Sequence, residues 1–538
     1  MRRQHILTLA IATAVILGTF FRFFALDKKA YWFDETFTSL RIAGFTDREV
    51  VEKYRGIDRV VPASELKEFQ STQSGRTIMD TVKGLAVEEP QNPPLYYVAA
   101  KLWADVAGSS VYSTRLLPAI LSLLVLPLAY WLCLELFGSA LVGWIAVSLM
   151  ALSPFYVLLA QTARPQSFWT VTIIFTAAAL LRAMRPGRHS FWLVYALGLA
   201  ASFYTFVLSG LFLVGFGLYV IIQEGFRLTK NVVSFSVSTA AALLAFAPWL
   251  IILYQSRLNV LATTSWVDSK ITLFELLQSW LVGFVRLFFD INNQSGDSFV
   301  QLLPFLAVLP LLLVLFGYSV YFLCRDSPRR VWTFVFCLIG ASIVPLVLVD
   351  IWKGGGRMSA ANRYFIPAYV GIQISLAYLL GTKLMKDAGT ARQSVWQGIG
   401  VLIGLLGIVS CVISSRTVSW WNKDPEGMNL EIASIINRSE KALVISDGWM
   451  GHLFSLNVGL NDRVNLQIEP LCYVCSNFNV ASVEPVIMDN SGEVFYFHPG
   501  WEPSPYKDLI KALALAGNLQ PITRQHGRVV LWKLIRQK

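Results

Sequence analysis

The chain has 538 residues, of which 55% are hydrophobic and 13% aromatic, whereas only 15% are charged. Soluble domains carry about 25% charged residues, so this composition excludes an ordinary water-soluble protein. The formal net charge is +11, with 45 Lys and Arg against 34 Asp and Glu. Residues 414–538 contain 12 basic and 12 acidic residues, so the whole excess belongs to residues 1–413. Without a basic, aromatic-interleaved stripe, this excess indicates membrane topology rather than nucleic-acid binding.

Long apolar runs separated by short basic patches predict membrane-spanning helices, because a span needs roughly 20 mostly apolar residues. We predict eleven spans, near residues 6–25, 115–134, 140–158, 167–183, 191–208, 210–224, 232–253, 300–323, 331–350, 365–382 and 395–413. Residues 191–224 leave one alternative open, in which a single span is followed by a re-entrant turn.

The basic residues between the spans predict how the chain is oriented. The short basic clusters among them fall on one side, which the positive-inside rule assigns to the cytoplasm: Arg2, Arg3, Arg182, Arg185, Arg188, Arg227, Lys230, Arg325, Arg329, Arg330, Lys383, Lys386 and Arg392. The N-terminus resembles a secretory signal, but no small-residue cleavage site precedes Asp27, so we predict a retained first span. Loop 26–114 and tail 414–538 then lie on the non-cytoplasmic face of the cell membrane.

The six cysteines and five histidines show no spacing typical of a zinc site. Cys472 and Cys475 form a C-x-x-C pair in the outer tail, where oxidising conditions favour a structural disulfide. The remaining four cysteines lie in or at the ends of predicted spans, where we expect them to be buried as small apolar side chains.

Two adjacent acids, Asp34 and Glu35, follow the first span within an aromatic segment. Residues 36–43 read as the start of a helix, so both acids would lie at its N-terminus. Free N–H groups and the helix dipole favour ionised carboxylates there, and a general base must be deprotonated. The alternative is that Asp34 only caps this helix and that Glu35 is solvated.

Three arginines are predicted at the same outer face. Arg115 begins the second span, Arg164 lies in a turn between the third and fourth spans, and Arg363 precedes the tenth span. Arginine binds phosphate through a planar fork of donors and stays charged when desolvated, so the three together suit a buried anion. Each one alone is equally consistent with an anchor at the membrane interface.

The order of these elements resembles the membrane glycosyltransferases of the GT-C fold, especially the family 39 protein O-mannosyltransferases and the lipid A aminoarabinose transferases. The resemblance covers residues 15–180 and 350–380, and its motifs contain Arg22, Asp34, Glu35, Asn92-Pro-Pro-Leu-Tyr96-Tyr97, Arg115, Ala-Arg164-Pro and Arg363-Tyr364-Phe-Ile-Pro. It implies a polytopic α-helical membrane protein with about eleven transmembrane helices and a C-terminal extracytoplasmic α/β domain.

The resemblance also implies roles for individual residues. Asp34 is the expected catalytic residue, with Glu35 as its neighbour, and Arg115, Arg164 and Arg363 are expected to bind the donor phosphate. Further site candidates are the other polar residues of these motifs: Arg22, Asn92, Tyr96 and Tyr364. Many relatives have His or Lys before the Pro-Pro element, where this chain has Asn92.

The implied donor is a sugar carried on a polyprenyl phosphate, because nucleotide sugars are made in the cytoplasm and the predicted site lies outside. Asp34 would accept the proton of a lipid, glycan or protein acceptor in a single inverting displacement, with polyprenyl phosphate leaving toward the arginines. Arginines can stabilise a monophosphate without a metal, so no cofactor is expected. The alternative is a divalent cation held by Asp34 and Glu35.

Residues 1–413 are predicted to form the transmembrane catalytic domain, which includes the first outer loop 26–114 and a second outer loop 254–299. Apolar residues at helical spacing from Leu273 to Leu281 predict an interfacial helix in the second loop, as a lid or as a passive anchor. Residues 414–538 are predicted to form a small soluble α/β domain, with helices at 430–436 and 506–515 and strands at 442–446, 493–497 and 528–532.

Two other functions fit parts of the sequence. A transporter or flippase of lipid-linked sugars would also need many spans and outward arginines, but paired broken spans and mid-span charges are missing from the sequence. A polysaccharide polymerase or ligase would share the lipid donor, but is often organised around a later outer loop. We therefore expect a multi-pass inner or plasma membrane transferase with a cytoplasmic N-terminus, whose partners are the bilayer, the lipid-linked donor and an acceptor.

Overall fold

A computed structural model describes residues 2–54, 60–72, 75–293, 299–424, 426–469, 492–499, 507–525 and 528–536, and most of these residues are helical. Within them, eight segments are long and apolar enough to cross a membrane: His5–Phe23, Val111–Phe137, Gln166–Ala183, Lys230–Gln255, Val300–Asp326, Arg329–Trp352, Asn362–Lys386 and Ala391–Arg416. A further pair of helices, Ala140–Leu152 and Pro154–Ala160, is bent by 63° and would make a ninth span. The predicted polytopic architecture is confirmed.

The eleven predicted spans all coincide with one of these segments or with a shorter apolar helix. Residues 191–224 form two helices of 15 residues each, Phe191–Thr205 and Ser209–Gln223. Both are shorter than the roughly 20 residues that a span requires. The number of eleven spans therefore stays a prediction. The bend in the ninth segment occurs at Pro154, whose ring and missing N–H interrupt a continuous helix.

The helices of residues 1–416 run in chain order as α1 (Arg2–Phe23), α2 (Phe33–Ile42), α3 (Asp47–Tyr54), α4 (Ala63–Lys67), α5 (Ile78–Glu88), α6 (Pro94–Ala107), α7 (Val111–Leu123), α8 (Val125–Phe137), α9 (Ala140–Leu152), α10 (Pro154–Ala160), α11 (Gln166–Ala183), α12 (Phe191–Thr205), α13 (Ser209–Gln223), α14 (Lys230–Gln255), α15 (Arg257–Thr263), α16 (Leu273–Val285), α17 (Phe299–Asp326), α18 (Arg329–Trp352), α19 (Ile366–Lys386) and α20 (Ala391–Arg416). The face carrying α2 to α6 is called the outer face, following the predicted orientation.

Local sequence explains the helices of the first outer loop. α2 contains both adjacent acids in its first turn, as predicted, and the Glu35 carboxylate accepts a hydrogen bond from the Trp32 backbone N–H that precedes the helix. α6 begins at Pro94, because proline already has the φ of a first helical residue and needs no N–H there. It ends before Gly108, whose φ of 81° lies in the region that favours glycine.

In its described part, the C-terminal region contains three α-helices and most of a sheet: α21 (Asn429–Asn437), α22 (Met450–Asn457), α23 (Lys507–Ala516), β2 (Leu443–Ser446), β3 (Asn465–Ile468), β4 (Val494–Phe497), β5 (Gly517–Gln525) and β6 (Arg528–Arg536). The predicted strands at 442–446, 493–497 and 528–532 correspond to β2, β4 and β6, and both predicted helices are present as α21 and α23. α22, β3 and β5 were not predicted. Cys472 and Cys475 lie outside the described residues, so their disulfide stays a prediction.

The described strands form one sheet in the order β1-β3-β2-β4-β6-β5, in which β1 (Val61–Pro62) comes from the first outer loop. β1 pairs antiparallel with β3, and β2 pairs parallel with both β3 and β4. Side chains of α2 and α3, including Leu40 and Val50, share a hydrophobic core with Ile432 and Leu453 of the C-terminal region. The first outer loop is therefore packed into the C-terminal unit, although more than 350 residues separate them in the chain.

The remaining cysteines follow the prediction with one exception. Cys133, Cys337 and Cys411 are buried, whereas Cys324 near the end of α17 is exposed. The expectation that all four would be buried was wrong for Cys324, because the sequence of an apolar helix does not show which of its faces packs against other helices.

Candidate functional site

A polar cavity of about 150 Å³ lies at the outer end of the helix bundle, beside the N-terminus of α2. Its charged and polar lining comes from α2, α3, the end of α5 with the segment after it, the turn before α11 and the residues before α19: Asp34, Arg41, Asp47, Glu88, Glu89, Gln91, Asn92, Arg164 and Arg363. The second outer loop adds Trp266, and Tyr364 completes the wall beside Arg363. The cavity thus brings together Asp34, Asn92, Arg164, Arg363 and Tyr364, all of which were predicted as site residues.

Asp34 lies at the cavity between two guanidinium groups. Its Oδ2 is 3.3 Å from Nη1 of Arg363 and 3.9 Å from Nη2 of Arg164. Arg164 is mostly buried and also donates a hydrogen bond of 3.1 Å to the backbone carbonyl of Asp34, which ties the turn before α11 to α2. The Asp34 side chain remains 25% exposed, so a substrate in the cavity can reach its carboxylate.

Arg363 is held in place by aromatic rings. Its guanidinium carbon is 5.2 Å from the ring centre of Trp32, 5.7 Å from that of Trp266 and 5.5 Å from that of Tyr364. Such cation–π contacts restrict the side chain without using its N–H donors. The donors of Arg363 are therefore oriented at the cavity and can bind an anion.

Glu35 has entirely different surroundings, although it is the next residue. Its carboxylate accepts hydrogen bonds from Nε and Nη2 of Arg115 at 2.9 and 2.8 Å, and from Nζ of Lys423 at 2.5 Å. The backbone N–H of Ala163 donates a further bond of 2.8 Å. Burial by itself would raise the pKa of Glu35, but the two cations outweigh burial and hold that pKa at about 2. Glu35 is therefore an ionised, fully buried centre of a hydrogen-bond network.

Arg115 is committed to the same network and does not line the cavity. Its side chain is fully buried and donates to both Glu35 oxygens and to the carbonyl oxygens of Leu26, Lys29 and Ala30. All of its N–H groups are thus used by the protein, because a guanidinium has five. A phosphate would reach Arg115 only if these bonds were broken. Arg115 therefore lies outside the cavity in which it was predicted to bind the donor phosphate.

Lys423 is the partner that sequence reasoning missed. It follows two tryptophans in a short segment after α20, where a lysine would ordinarily be solvated. In the fold its ammonium group is fully buried against Glu35, and burial lowers its pKa to about 7, although the Glu35 carboxylate opposes this shift. The only available sequence signal was a lysine within an aromatic segment near the membrane surface.

The far wall of the cavity carries a cluster of acids around one arginine. Nη2 of Arg41 is 2.6 Å from Glu88 and 2.9 Å from Glu89. Asp47 lies beside this pair, and burial together with the Glu88 charge raises its pKa to about 8. Asn92 donates a hydrogen bond of 2.8 Å to Glu89, which fixes its amide at the cavity edge. This wall supplies oxygen acceptors for a polar substrate.

The other predicted candidates lie away from the cavity. Arg22 is buried and its guanidinium donates to the backbone carbonyls of Gly18, Met150 and Ala151, so it joins α1 to α9. Tyr96 and Tyr97 on α6 are fully buried in the hydrophobic core of the protein, and neither of them lines the cavity.

The second outer loop reaches the cavity through a different segment from the one predicted. Thr263 at the end of α15 lines the wall together with Thr264 and Trp266, which follow it, whereas the amphipathic helix α16 does not. The Trp280 indole on α16 donates a hydrogen bond of 3.0 Å to Ser359, so α16 is fastened to the segment before Arg363. Its contribution to the site is therefore indirect.

Two further features bear on the choice of site. An apolar groove of about 690 Å³ lies between α1, α9 and α20, but its lining is almost entirely aliphatic and offers no acid or base. Among the residues that the structure describes, no group of three or more His, Cys, Asp or Glu is arranged to hold a metal ion. The polar cavity is thus the better candidate for chemistry.

Comparison with known proteins agrees with the predicted resemblance. Residues 91–252 match the family model described as dolichyl-phosphate-mannose-protein mannosyltransferase. No curated protein matches the sequence significantly. The apo structure of ArnT from Cupriavidus metallidurans is 13% identical, with 99% of this chain and 98% of that chain covered and a TM-score of 0.51.

A second solved structure, the apo form of the Archaeoglobus fulgidus oligosaccharyltransferase, is also 13% identical, with 91% of this chain and 69% of that chain covered and a TM-score of 0.49. Because the identity to ArnT is low, that likeness describes the fold alone. The chain therefore has the GT-C fold of ArnT, and residues 91–252 match the dolichyl-phosphate-mannose-protein mannosyltransferase family.

Proposed function

We propose that this protein is a membrane glycosyltransferase that moves a sugar from a polyprenyl-phosphate donor to an acceptor on the non-cytoplasmic face. One observation carries the proposal. A reachable carboxylate, Asp34, lies between the guanidinium groups of Arg164 and Arg363 at a polar cavity of the outer face. A proton acceptor beside a cationic site for a leaving phosphate is what this transfer requires.

The proposed reaction is a single inverting displacement. The Asp34 carboxylate accepts the proton of an acceptor hydroxyl or amine, and the acceptor oxygen or nitrogen forms a bond to the anomeric carbon. The bond between that carbon and the phosphate oxygen breaks, and polyprenyl phosphate keeps the electron pair. The negative charge of the phosphate is stabilised by Arg164 and Arg363, which are already held in position.

The choice of donor is supported by two independent considerations. The matched family is described by a dolichyl-phosphate sugar, and the match includes the segment with Arg164. The loop charges predict that the cavity faces outward, away from the cytoplasmic supply of nucleotide sugars. A lipid-linked sugar would also approach from the bilayer, where the outer ends of the helices surround the cavity.

In this proposal Glu35, Arg115 and Lys423 position the reacting groups without contacting the substrate. Their buried ion network fixes the first turn of α2 and therefore the position of Asp34. Arg115 is a positioning residue here rather than a phosphate ligand, because its donors are bonded to Glu35 and to the chain before α2. The acid wall around Arg41 is proposed to bind hydroxyl groups of the sugar or the acceptor.

The proposed chemistry needs no metal ion, because two arginines can stabilise a phosphate leaving group. Turnover by the purified protein is expected to be unchanged after treatment with a chelator. If chelation abolished turnover and added Mg²⁺ or Mn²⁺ restored it, a cation at the Asp34 carboxylate would replace this proposal.

The experiment that tests the function measures release of free polyprenyl phosphate from radiolabelled polyprenyl-phosphate sugars in membranes supplied with extracted native acceptors. Asp34→Asn is expected to lower release and sugar transfer by at least about 100-fold, the lower range for removal of a general base. Glu52→Gln on the exposed face of α3 removes the same charge nearby and should leave the rate unchanged.

The alternatives predict different outcomes in the same assay. Movement of intact labelled lipid across the bilayer, with no dependence on Asp34, would identify a transporter. Activity that depends on Arg363 but survives Asp34→Asn would favour a polymerase or ligase mechanism. Either result would overturn Asp34 as the general base.

A further inference from the structure

A second charged cleft lies at the opposite end of the helix bundle. It has a volume of about 580 Å³ and is lined by Glu135, Phe137, Arg182, Arg185, Arg188 and Arg330. Four guanidinium groups face one carboxylate, which leaves a local excess of three positive charges. Such an excess in a concave site between helices attracts an anion, because the walls of the cleft reduce screening by water.

Glu135 organises two of the arginines and leaves the cleft positive. Its carboxylate is 2.8 Å from Nη2 of Arg185 and 3.3 Å from Nη1 of Arg182, and its side chain is only 5% exposed. The Trp131 indole donates a further hydrogen bond of 3.1 Å to Glu135. The buried acid therefore fixes the two guanidinium groups at the wall of the cleft before any ligand arrives.

The other two arginines have unused donors. In the described part of the chain, the side chains of Arg188 and Arg330 make no hydrogen bond or ion pair, and both are exposed. Arg330 belongs to the first turn of α18, where the positive end of the helix dipole adds to its charge. Two of the four guanidinium groups are thus fixed and two have unbonded N–H donors. Together they can donate paired hydrogen bonds to the oxygens of a phosphate group.

The neighbouring surface indicates that the ligand also has an apolar part. The Arg182 guanidinium lies 5.7 Å from the ring centre of Phe191, the first residue of α12. Farther along α12, Leu193 and Leu197 are 65% and 62% exposed, as expected for side chains that face acyl chains. The cationic cleft thus adjoins an apolar helix surface, an arrangement that suits a lipid headgroup better than a free ion.

The cleft is separate from the catalytic cavity. α11 starts two residues after Arg164 and ends beside Arg182, and its 18 residues span about 27 Å at 1.5 Å per residue. This distance is close to the thickness of the hydrocarbon core. The loop charges assign the cleft to the cytoplasmic side, where the membrane surface is negatively charged.

We propose that this cleft binds the phosphate of an anionic phospholipid in the cytoplasmic leaflet through Arg182, Arg185, Arg188 and Arg330. The site is independent of the transferase proposal, since none of its residues lines the outer cavity. Bound lipid would join the inner ends of α8, α11 and α18, because each of these helices contributes a lining residue.

The test uses the delipidated full-length protein in detergent, with phosphatidylglycerol as the probe and bound lipid counted by native mass spectrometry. The double variant Arg188→Gln/Arg330→Gln removes the two unpaired guanidinium groups and retains both ion pairs of Glu135. It is expected to weaken phosphatidylglycerol binding roughly tenfold. Arg227→Gln/Arg392→Gln removes two exposed charges from the same face outside the cleft and should bind like the wild type.

Two further ligands complete the test. Phosphatidylcholine, which has no net charge, should bind no more tightly to the wild type than to the double variant. Inorganic phosphate at millimolar concentration should not displace phosphatidylglycerol. Equal losses in both double variants, or no loss in either, would overturn the cleft as a specific site, and displacement by inorganic phosphate would overturn the lipid as its ligand.

Discussion

The two adjacent carboxylates of α2 occupy opposite electrostatic environments. Asp34 is partly exposed at the cavity and lies 3.3 and 3.9 Å from two arginines that are also accessible from the cavity. Glu35 is fully buried and accepts hydrogen bonds from Arg115, from Lys423 and from two backbone N–H groups. Consecutive residues of a helix point about 100° apart, so one faces the substrate space and the other faces the protein.

This difference suits Asp34 to the proposed proton transfer and Glu35 to a structural role. A reacting carboxylate has to exchange a proton with a substrate, and Asp34 has the exposure for it. A supporting carboxylate has to keep one charge and one position, and a pKa of about 2 with five bonded donors gives Glu35 both properties. The same acid-to-amide substitution should therefore lower activity at Asp34 and lower stability at Glu35.

The largest effect on stability is expected for Glu35→Gln. This change leaves the buried cations Arg115 and Lys423 without their counter-ion, and such a loss costs about 3–5 kcal/mol. Thermal unfolding of the detergent-solubilised protein should show a large loss for Glu35→Gln and little change for Asp34→Asn. Equal stability of the two variants would contradict the division between them.

Lys423→Met is expected to have a smaller effect of the same kind. It removes one charge-assisted hydrogen bond, worth about 2 kcal/mol, but leaves Glu35 paired with Arg115. Loss of this bond is expected to move the first turn of α2 and with it Asp34, so the sugar-transfer rate should fall. The donor KM should not rise, because Arg164 and Arg363 are unchanged. Lys441→Met, at an exposed position of the same C-terminal region, serves as the control. A rise in KM alone would place Lys423 in donor binding instead.

Arg164→Gln and Arg363→Gln test the other side of the comparison. Each removes a charged donor from the cavity, and a loss of about 1.4 kcal/mol corresponds to a roughly tenfold rise in the donor KM. Arg115→Gln should lower stability instead, because its N–H groups are bonded within the protein. Kinetic and unfolding measurements on the three variants decide between these patterns.

A pH-dependent effect on stability is expected for Asp47, whose pKa is shifted in the opposite direction from that of Glu35. Its folded pKa of about 8 lies above the ordinary 3.8, so its stabilisation is full below about pH 4 and is lost as the pH rises toward 8. Asp47→Asn should flatten the decline of the unfolding temperature between about pH 5 and 8. An unchanged slope in this variant would show that Asp47 is not the responsible group.

The sequence was informative where structure depends on neighbouring residues. Membrane spans, the start of α2 at the paired acids and the start of α6 at Pro94 all follow from hydropathy or from local backbone preferences. The strands β2 and β4 were also recognisable as short apolar runs. Such features need no knowledge of what lies beside them in space.

The sequence was uninformative where contacts join distant segments. Arg115 was predicted as a phosphate ligand from its position at the outer end of a span. That position does not show that its N–H groups are hydrogen-bonded to Glu35 and to backbone carbonyls. Lys423 is 388 positions away from Glu35, and nothing local connects the two. The strand β1 consists of Val61 and Pro62 alone, which is too short to produce an alternating pattern.

The pairing of β1 with β3 has a consequence for how the protein is made. The first outer loop emerges early during synthesis, but β3 and Lys423 reach the outer face only after α20 has entered the membrane. Until then β1 lacks its sheet partner β3, and Glu35 of α2 lacks one of the two cations that contact it. During synthesis the candidate site is therefore unfinished, and it is completed only after α20 has been inserted.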